Sequence, residues 1–143
     1  MDHVAILSKK LNLLSKIRCG EKTIESRWTI HRQAPYQAIA AGDTIYFKDS
    51  GEPVTVRATV EKALFFSDLT IDKIGSILRQ YGNGICMPAS YRASLSRKRC
   101  CTLIFLTNVQ PIPPFHINKT GYGMMAAWIS VPDISSLQRV HRS

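Results

Sequence analysis

What this sequence lacks narrows it first. Its 143 residues contain no stretch approaching the apolar length of a membrane-spanning helix, which needs roughly 18 to 20 residues. Near the start, Lys9, Lys10 and Lys16 interrupt the leucines, so the apolar core of a secretory leader is missing. Neither a membrane nor export is expected. The four cysteines, Cys19, Cys86, Cys100 and Cys101, include no C-x-x-C pair and no Cys/His grouping at zinc-finger spacing. No metal and no cofactor is expected. Cys100 and Cys101 are neighbours in a strand-like run, where successive side chains point to opposite faces, so they are poorly placed to bridge each other. Reduced thiols in a cytoplasmic protein are the expectation. His3, His31, His116 and His141 are scattered, with no spacing that suggests a metal site or a catalytic triad. No internal repeat is present.

Negative charge is missing from half the chain. From Met1 to Asp72 there are ten Lys/Arg and nine Asp/Glu, whereas from Lys73 to Ser143 nine Lys/Arg face the single carboxylate Asp133. The second half therefore carries +8 of the formal +9. Such an excess concentrates polyanions near the surface and speeds their capture, which makes nucleic acid or phosphate-bearing ligands the natural partners, with solubility alone as the competing explanation. The scarcity of carboxylates also limits acid-base chemistry: Glu21, Glu25, Asp49, Glu52 and Glu61 are the plausible proton carriers.

What is present reads as one domain, over residues 1–132, followed by a polar tail at 133–143. Hydrophobic residues make up 45% of the chain, in short clusters separated by polar ones, the pattern of a globular core. Leu11, Leu14 and Ile17 fall at helical spacing over Lys9 to Cys19, with Ser8 as the N-cap and Gly20 as the stop. Thr23 to Trp28 reads as a strand with Thr23, Glu25 and Arg27 on one face. His31 to Ala41 is a loop, Thr44 to Lys48 a strand, and Asp49-Ser50-Gly51 a hairpin turn. Val54, Val56, Ala58 and Val60 alternate with polar residues in a half-buried strand. A second helix starts at Thr70 and turns Leu69, Ile74, Ile77, Leu78 and Tyr81 inward before Gly82. Asn83 to Lys98 is irregular, Cys101 to Val109 a continuous apolar strand, and Pro111, Pro113 and Pro114 should forbid regular pairing after it. Met124 to Val131 is expected to close the sheet. This order favours an α+β fold, a small and mostly antiparallel β-barrel with two flanking helices.

At the junction of the first helix and strand, Gly20-Glu21-Lys22-Thr23-Ile24-Glu25-Ser26-Arg27 resembles the G-x-K-x-x-E-x-R signature of ASCH domains, complete at its fixed positions. Gly42-Asp43 before a strand also suits that family, so the resemblance spans about residues 4 to 131. The segment Phe115 to Gly123, followed by Ala126-Ala127-Trp128-Ile129, is similar to one bacterial subgroup of uncharacterised ASCH proteins. The resemblance implies a PUA-like barrel that binds RNA through the cleft beside the signature. It also implies an alternative, a small hydrolase of modified nucleosides such as N4-acetylcytidine, or a ribonuclease. In the amidohydrolases a lysine of this motif acts with a threonine and a glutamate. Lys22 matches the lysine, but Glu25 stands at the threonine position, and the second helix offers Asp72 and no glutamate. If the chain is an enzyme, Lys22 and Glu25 are its catalytic candidates.

The motif has physical sense of its own. Lys22 supplies a mobile cation for a phosphate, while Glu25 and Arg27 supply an acceptor and a planar donor fork on one strand face. The bland alternative is a structural ion pair that fixes the strand. Further nucleic-acid-binding candidates are Lys48 and Ser50 at the hairpin turn, whose amides can cradle an anion, and Arg92, Arg97, Lys98 and Arg99 in a basic loop beside Tyr91. Lys119 and Tyr122, flanked by glycines, complete the set. Each has an ordinary turn or solvated loop as its competing reading. Trp28 and Trp128 are expected in the core. Nothing in the sequence fixes the oligomeric state.

Overall fold

The computed structural model describes residues 1–123 and 125–139. Six strands form one mixed sheet in the order β2-β5-β4-β3-β1-β6, curled into a half-barrel that stays open along one seam. The strands are β1 (Asp2–Leu7), β2 (Ile24–Thr29), β3 (Thr44–Asp49), β4 (Val54–Phe66), β5 (Cys100–Phe115) and β6 (Trp128–Val131). The helices are α1 (Leu13–Arg18), α2 (Ile71–Ile85) and the single turn α3 (Ala89–Arg92). The α+β class, the antiparallel bias and the barrel-like curl of the sequence reading are thus observed, the curl taking the form of a half-barrel.

β1 is the element the sequence reading passed over. His-Val-Ala-Ile-Leu is too short for a period to show, and from Val4 on it is apolar because it is covered on both faces: Val4 packs in one cluster, Ala5 and Leu7 in another. It pairs in parallel with β3, from Asp2 opposite Thr44 to Leu7 opposite Asp49, and antiparallel with β6. A parallel pair needs a long crossover, and the whole run from α1 through β2 supplies it.

The expected first helix is divided. Lys9–Leu11 forms a 3-10 turn, Asn12 takes a left-handed conformation at φ 54°, and α1 begins beyond it. Ser8 makes no side-chain cap. Gly20, at φ 83°, ends the segment as foreseen. In α2 the Thr70 hydroxyl accepts from the Lys73 N–H at 3.2 Å, as a capping threonine should. The helix runs past Gly82 because its buried stripe continues from Ile77 through Tyr81 to Ile85.

β5 continues to Phe115 despite its three prolines. β2 ends opposite Phe105, so beyond that point β5 has only β4 as neighbour, and Pro113 and Pro114 fall in the register shift between the pairs Val56–Pro111 and Val54–Phe115, where no ladder partner is assigned to either. Three register shifts in the β4–β5 pairing bend the sheet there. The closing strand is shorter than expected, and Met124 lies outside the described residues.

The core has three parts. Ile45, Phe47, Val56, Ile104 and Leu106 fill the hollow of the curl with Ile17 of α1. Cys101 and Leu103, on the opposite face of β5, pack under α2. Val4, Ile129 and Val131 are covered by Ile117, Ile134 and Leu137. The segment read as a polar tail is therefore docked as far as it is described: Asn118 N–H donates to Leu137 O at 2.7 Å and Arg139 N–H to His116 O at 2.8 Å. Residues 140–143 of that tail, His141 among them, lie outside the described residues.

Candidate nucleic-acid interface

The signature lies on the open seam of the half-barrel. β2 and β6 are the two edges of the sheet, and Arg27 of β2 reaches across the gap between them. Its guanidinium donates to Ile6 O at 3.3 Å and Ala127 O at 3.2 Å, and its carbon lies 5.2 Å over the Trp128 ring. A cleft of about 280 Å³ runs along this seam. Lys22, Glu25 and Arg27 line its polar side, and Trp28, Met87 and Tyr91 its apolar side. Because the cleft follows a strand edge, both faces of β2 contribute, Ser26 and Trp28 from one and Glu25 and Arg27 from the other.

Lys22 is not the mobile cation the sequence suggested. It is 3% exposed, and its ammonium donates to the carbonyls of Ile24 and Ile85 and sits 3.7 Å from Glu25 Oε1. This lysine ties the end of α2 to β2 and supplies a buried counter-charge to Glu25. Gly84 makes that approach possible: an added Cβ would come within 2.8 Å of Ile24 Cδ1 and Thr23 Oγ1.

Glu25 is equally buried, at 3% exposed. Its Oε1 accepts the Ser26 N–H at 2.9 Å. Its Oε2 has no hydrogen-bond partner among the described residues, with Arg27 Nη2 3.5 Å away, too long for a good bond. Lys22, Glu25 and Arg27 thus stand in file from the floor of the cleft to its rim, the outermost side chain 17% exposed.

The remaining candidates separate. Lys98 and Tyr91 line this same cleft. Lys48, Ser50 and Lys119 line a second cavity of about 690 Å³, together with His116 and Arg139, which the sequence reading did not select. Arg97 and Tyr122 are exposed and line neither cavity, as is Arg92, whereas Arg99 donates through its backbone N–H to Thr29 O at 2.9 Å. Trp28 and Trp128 are half-buried, each packed on a core cluster while presenting the rest of its ring to the seam.

One constellation was invisible in the sequence. His3, fully buried, lies 2.8 Å from Ser130 Oγ through Nδ1 and 2.8 Å from Asp43 Oδ2 through Nε2. Trp128 Nε1 donates to the same Ser130 oxygen at 3.2 Å. A carboxylate only accepts, so Nε2 carries a proton toward Asp43, and the four side chains form one line from Trp128 through Ser130 and His3 to Asp43. All of its members are used in pinning β1 to β6 and to the start of β3. None of the four lines either cavity described above. No group of residues suited to a metal occurs among the described residues, and no described helix is long and apolar enough to cross a membrane.

No protein-family profile and no curated protein matches the sequence. Solved structures do. The ASCH protein of Zymomonas mobilis superposes with a TM-score of 0.68 at 17% identity, over 96% of this chain and 96% of that one. A point variant of it gives 0.68 at 18% identity over the same shares. A hypothetical protein superposes at 0.50 with 16% identity, over 78% of this chain and all of its own. With the signature on the open seam of a curled sheet, the chain has an ASCH-like fold.

Proposed function

We propose that this protein is an RNA- or nucleotide-binding module that takes a base into the seam cleft. The observation that carries this reading is Glu25 Oε2, buried in an open cleft with no hydrogen-bond donor among the described residues and only the Arg27 guanidinium nearby at 3.5 Å. A buried acceptor left unmade costs about 1–3 kcal/mol, and an amino or imino N–H on a base edge is the donor that satisfies it. Trp28 and Tyr91 offer flat apolar surface for the base, where stacking contributes about 1–3 kcal/mol. Arg27 and Lys98 at the rim meet the phosphates. The positive balance of the chain supports the same partner class.

Binding is favoured over hydrolysis because the buried lysine donates to two carbonyls and pairs with Glu25, and Glu25 is the one carboxylate among the described residues lining the cleft. Asp72 sits at the far end of α2, about 20 Å of helix away from Ile85. The test is anisotropy of a labelled short single-stranded RNA at low salt. Glu25→Gln and Arg27→Ala are each expected to weaken binding by about tenfold or more. Unchanged affinity in both sinks the proposal. Incubation with N4-acetylcytidine and RNA, read by mass spectrometry, checks for turnover, and a product formed by the parent and lost in a Lys22→Met variant shown to be folded would reverse the preference for binding.

A further inference from the structure

Beside the seam cleft, the chain from Ala89 to Lys98 stands on a single anchor. It consists of α3 and the 3-10 turn Ala93–Arg97, and Leu95 is its one buried side chain, packed in the cluster under α2. Tyr91, Ser94, Leu95 and Lys98 line the cleft, at the three- and four-residue spacing of one helical face. The tyrosine is nonetheless 46% exposed, so part of its ring lies outside the cleft wall.

The same segment carries cations turned to solvent. Arg92 and Arg97 are exposed and Lys98 is half-buried. None of the three takes part in an ion pair among the described residues. The sequence accounts for this: no Asp or Glu occurs between Asp72 and Asp133, and Glu25, the carboxylate in the cleft, already faces Lys22 and Arg27. Arg99 stands apart, because its backbone is bonded to Thr29 and Leu69 and its guanidinium reaches Leu69 O.

We propose that this segment is the platform over which a single RNA strand leaves the cleft: the outer part of the Tyr91 ring stacks the base next to the one held in the cleft, and Arg92, Arg97 and Lys98 meet the phosphates that follow. The proposal rests on the seam cleft holding a base, and it narrows the partner from a nucleotide to single-stranded RNA. A duplex keeps its bases stacked on one another, whereas a single strand offers a free face to an aromatic ring. From Tyr91 to Arg97 the backbone advances about 9–12 Å at 1.5–2.0 Å per residue, a span of more than one phosphate. Two guanidinium forks and one ammonium suit phosphodiester oxygens, and no carboxylate of the segment repels them.

Two labelled single-stranded RNAs of mixed sequence separate the platform from the cleft: a dinucleotide, and one of about ten nucleotides, within the roughly 4–16 that a small β-fold covers. The platform variant combines Arg92→Gln with Arg97→Gln, both exposed and outside the cleft, so the unfolding midpoint should not move. Anisotropy is expected to show the longer RNA weakened about tenfold, roughly threefold per phosphate contact, with the slope of log affinity against log salt shallower by about 1.4. The dinucleotide should bind this variant as it binds the parent. A longer RNA bound with parent affinity and slope overturns the proposal, as does a blunt duplex of the same sequence bound as tightly as the single strand. Failure of the cleft reads differently. The longer RNA is then indifferent to Glu25→Gln and to Arg27→Ala but still weakened by the arginine pair, a result that removes the cleft and leaves the platform standing.

Discussion

Arg27 and Trp128 sit on opposite edge strands of the sheet, yet the guanidinium carbon lies 5.2 Å above the indole ring. The contact holds the seam of the half-barrel at a fixed width, and the cleft is the space that remains. Lysine in place of arginine keeps the charge but not the plane or the fork. Arg27→Lys should therefore lower the unfolding free energy by about 1–2 kcal/mol, measured by urea titration, and weaken RNA almost as much as Arg27→Ala. A lysine variant that binds like the parent would mean charge alone is used.

Lys22 and Glu25 are a buried pair, so the two should be coupled. Removing only the cation in Lys22→Met leaves a carboxylate buried without its counter-charge, at an expected cost of about 3 kcal/mol or more. The double variant Lys22→Met, Glu25→Leu removes both charges and should recover much of that loss. A double variant no more stable than Lys22→Met would show that the pair is not the source. Loss of RNA binding in Lys22→Met therefore does not by itself place this lysine at the ligand.

Acid sensitivity should centre on Asp43. Burial raises its carboxyl pKa, but hydrogen bonds from His3 and the Ala40 N–H, with the N-terminal ammonium nearby, outweigh that and leave it below its ordinary value. A folded pKa below the unfolded one contributes stability that is present above the unfolded value, about 3.9, and is lost as pH falls through the folded value. Asp43→Asn should flatten that acid limb and cost about 1–3 kcal/mol at pH 7, since the His3 N–H loses its charged acceptor. Thermal melts between neutral and acid pH compare the two, and superimposable curves would remove Asp43 from the account.

Gly84 is expected to resist any side chain. Alanine is the better helix former, yet its methyl would meet Ile24 and Thr23 at 2.8 Å and push α2 from β2. Gly84→Ala should destabilise by about 1–3 kcal/mol, whereas Gly82→Ala, with nothing within 4 Å, should be neutral or stabilising. Equal effects of the two on the unfolding midpoint would refute a contact-limited approach.

Thiol reactivity should follow burial. Cys101 is fully buried, which pushes its thiol pKa up, with Cys100 beside it adding to the rise. Cys19 is exposed. A thiol-reactive dye on the native protein should label Cys19 first and reach Cys100 and Cys101 only under denaturing conditions.

Local rules were enough for much of the chain. The alternation from Val54 to Val60, the Thr70 cap and the glycine stop at Gly20 are decided by neighbours in sequence, so strand, helix start and helix end appear where read. The Lys22, Glu25 and Arg27 set was legible as a motif, because its spacing along a strand is a local property. Its division of labour was not. Which cation is buried depends on α2 ending against β2, a contact between Lys22 and Ile85 that are 63 residues apart. The same holds for the line joining His3 to Ser130 across 127 residues, and for Arg139, brought beside Lys48 only when the C-terminal segment docks.

From sequence alone, then, come the class of fold, the excess of positive charge in the second half and the chemical identity of the signature. Tertiary structure decided that the sheet stays open, that its seam forms the cleft, and that the cations sort into one spent on structure and a group facing a cavity. The physical reason is reach: backbone propensity and side-chain period act over a few residues, whereas burial and convergence of charge are fixed by segments that meet only when the sheet curls.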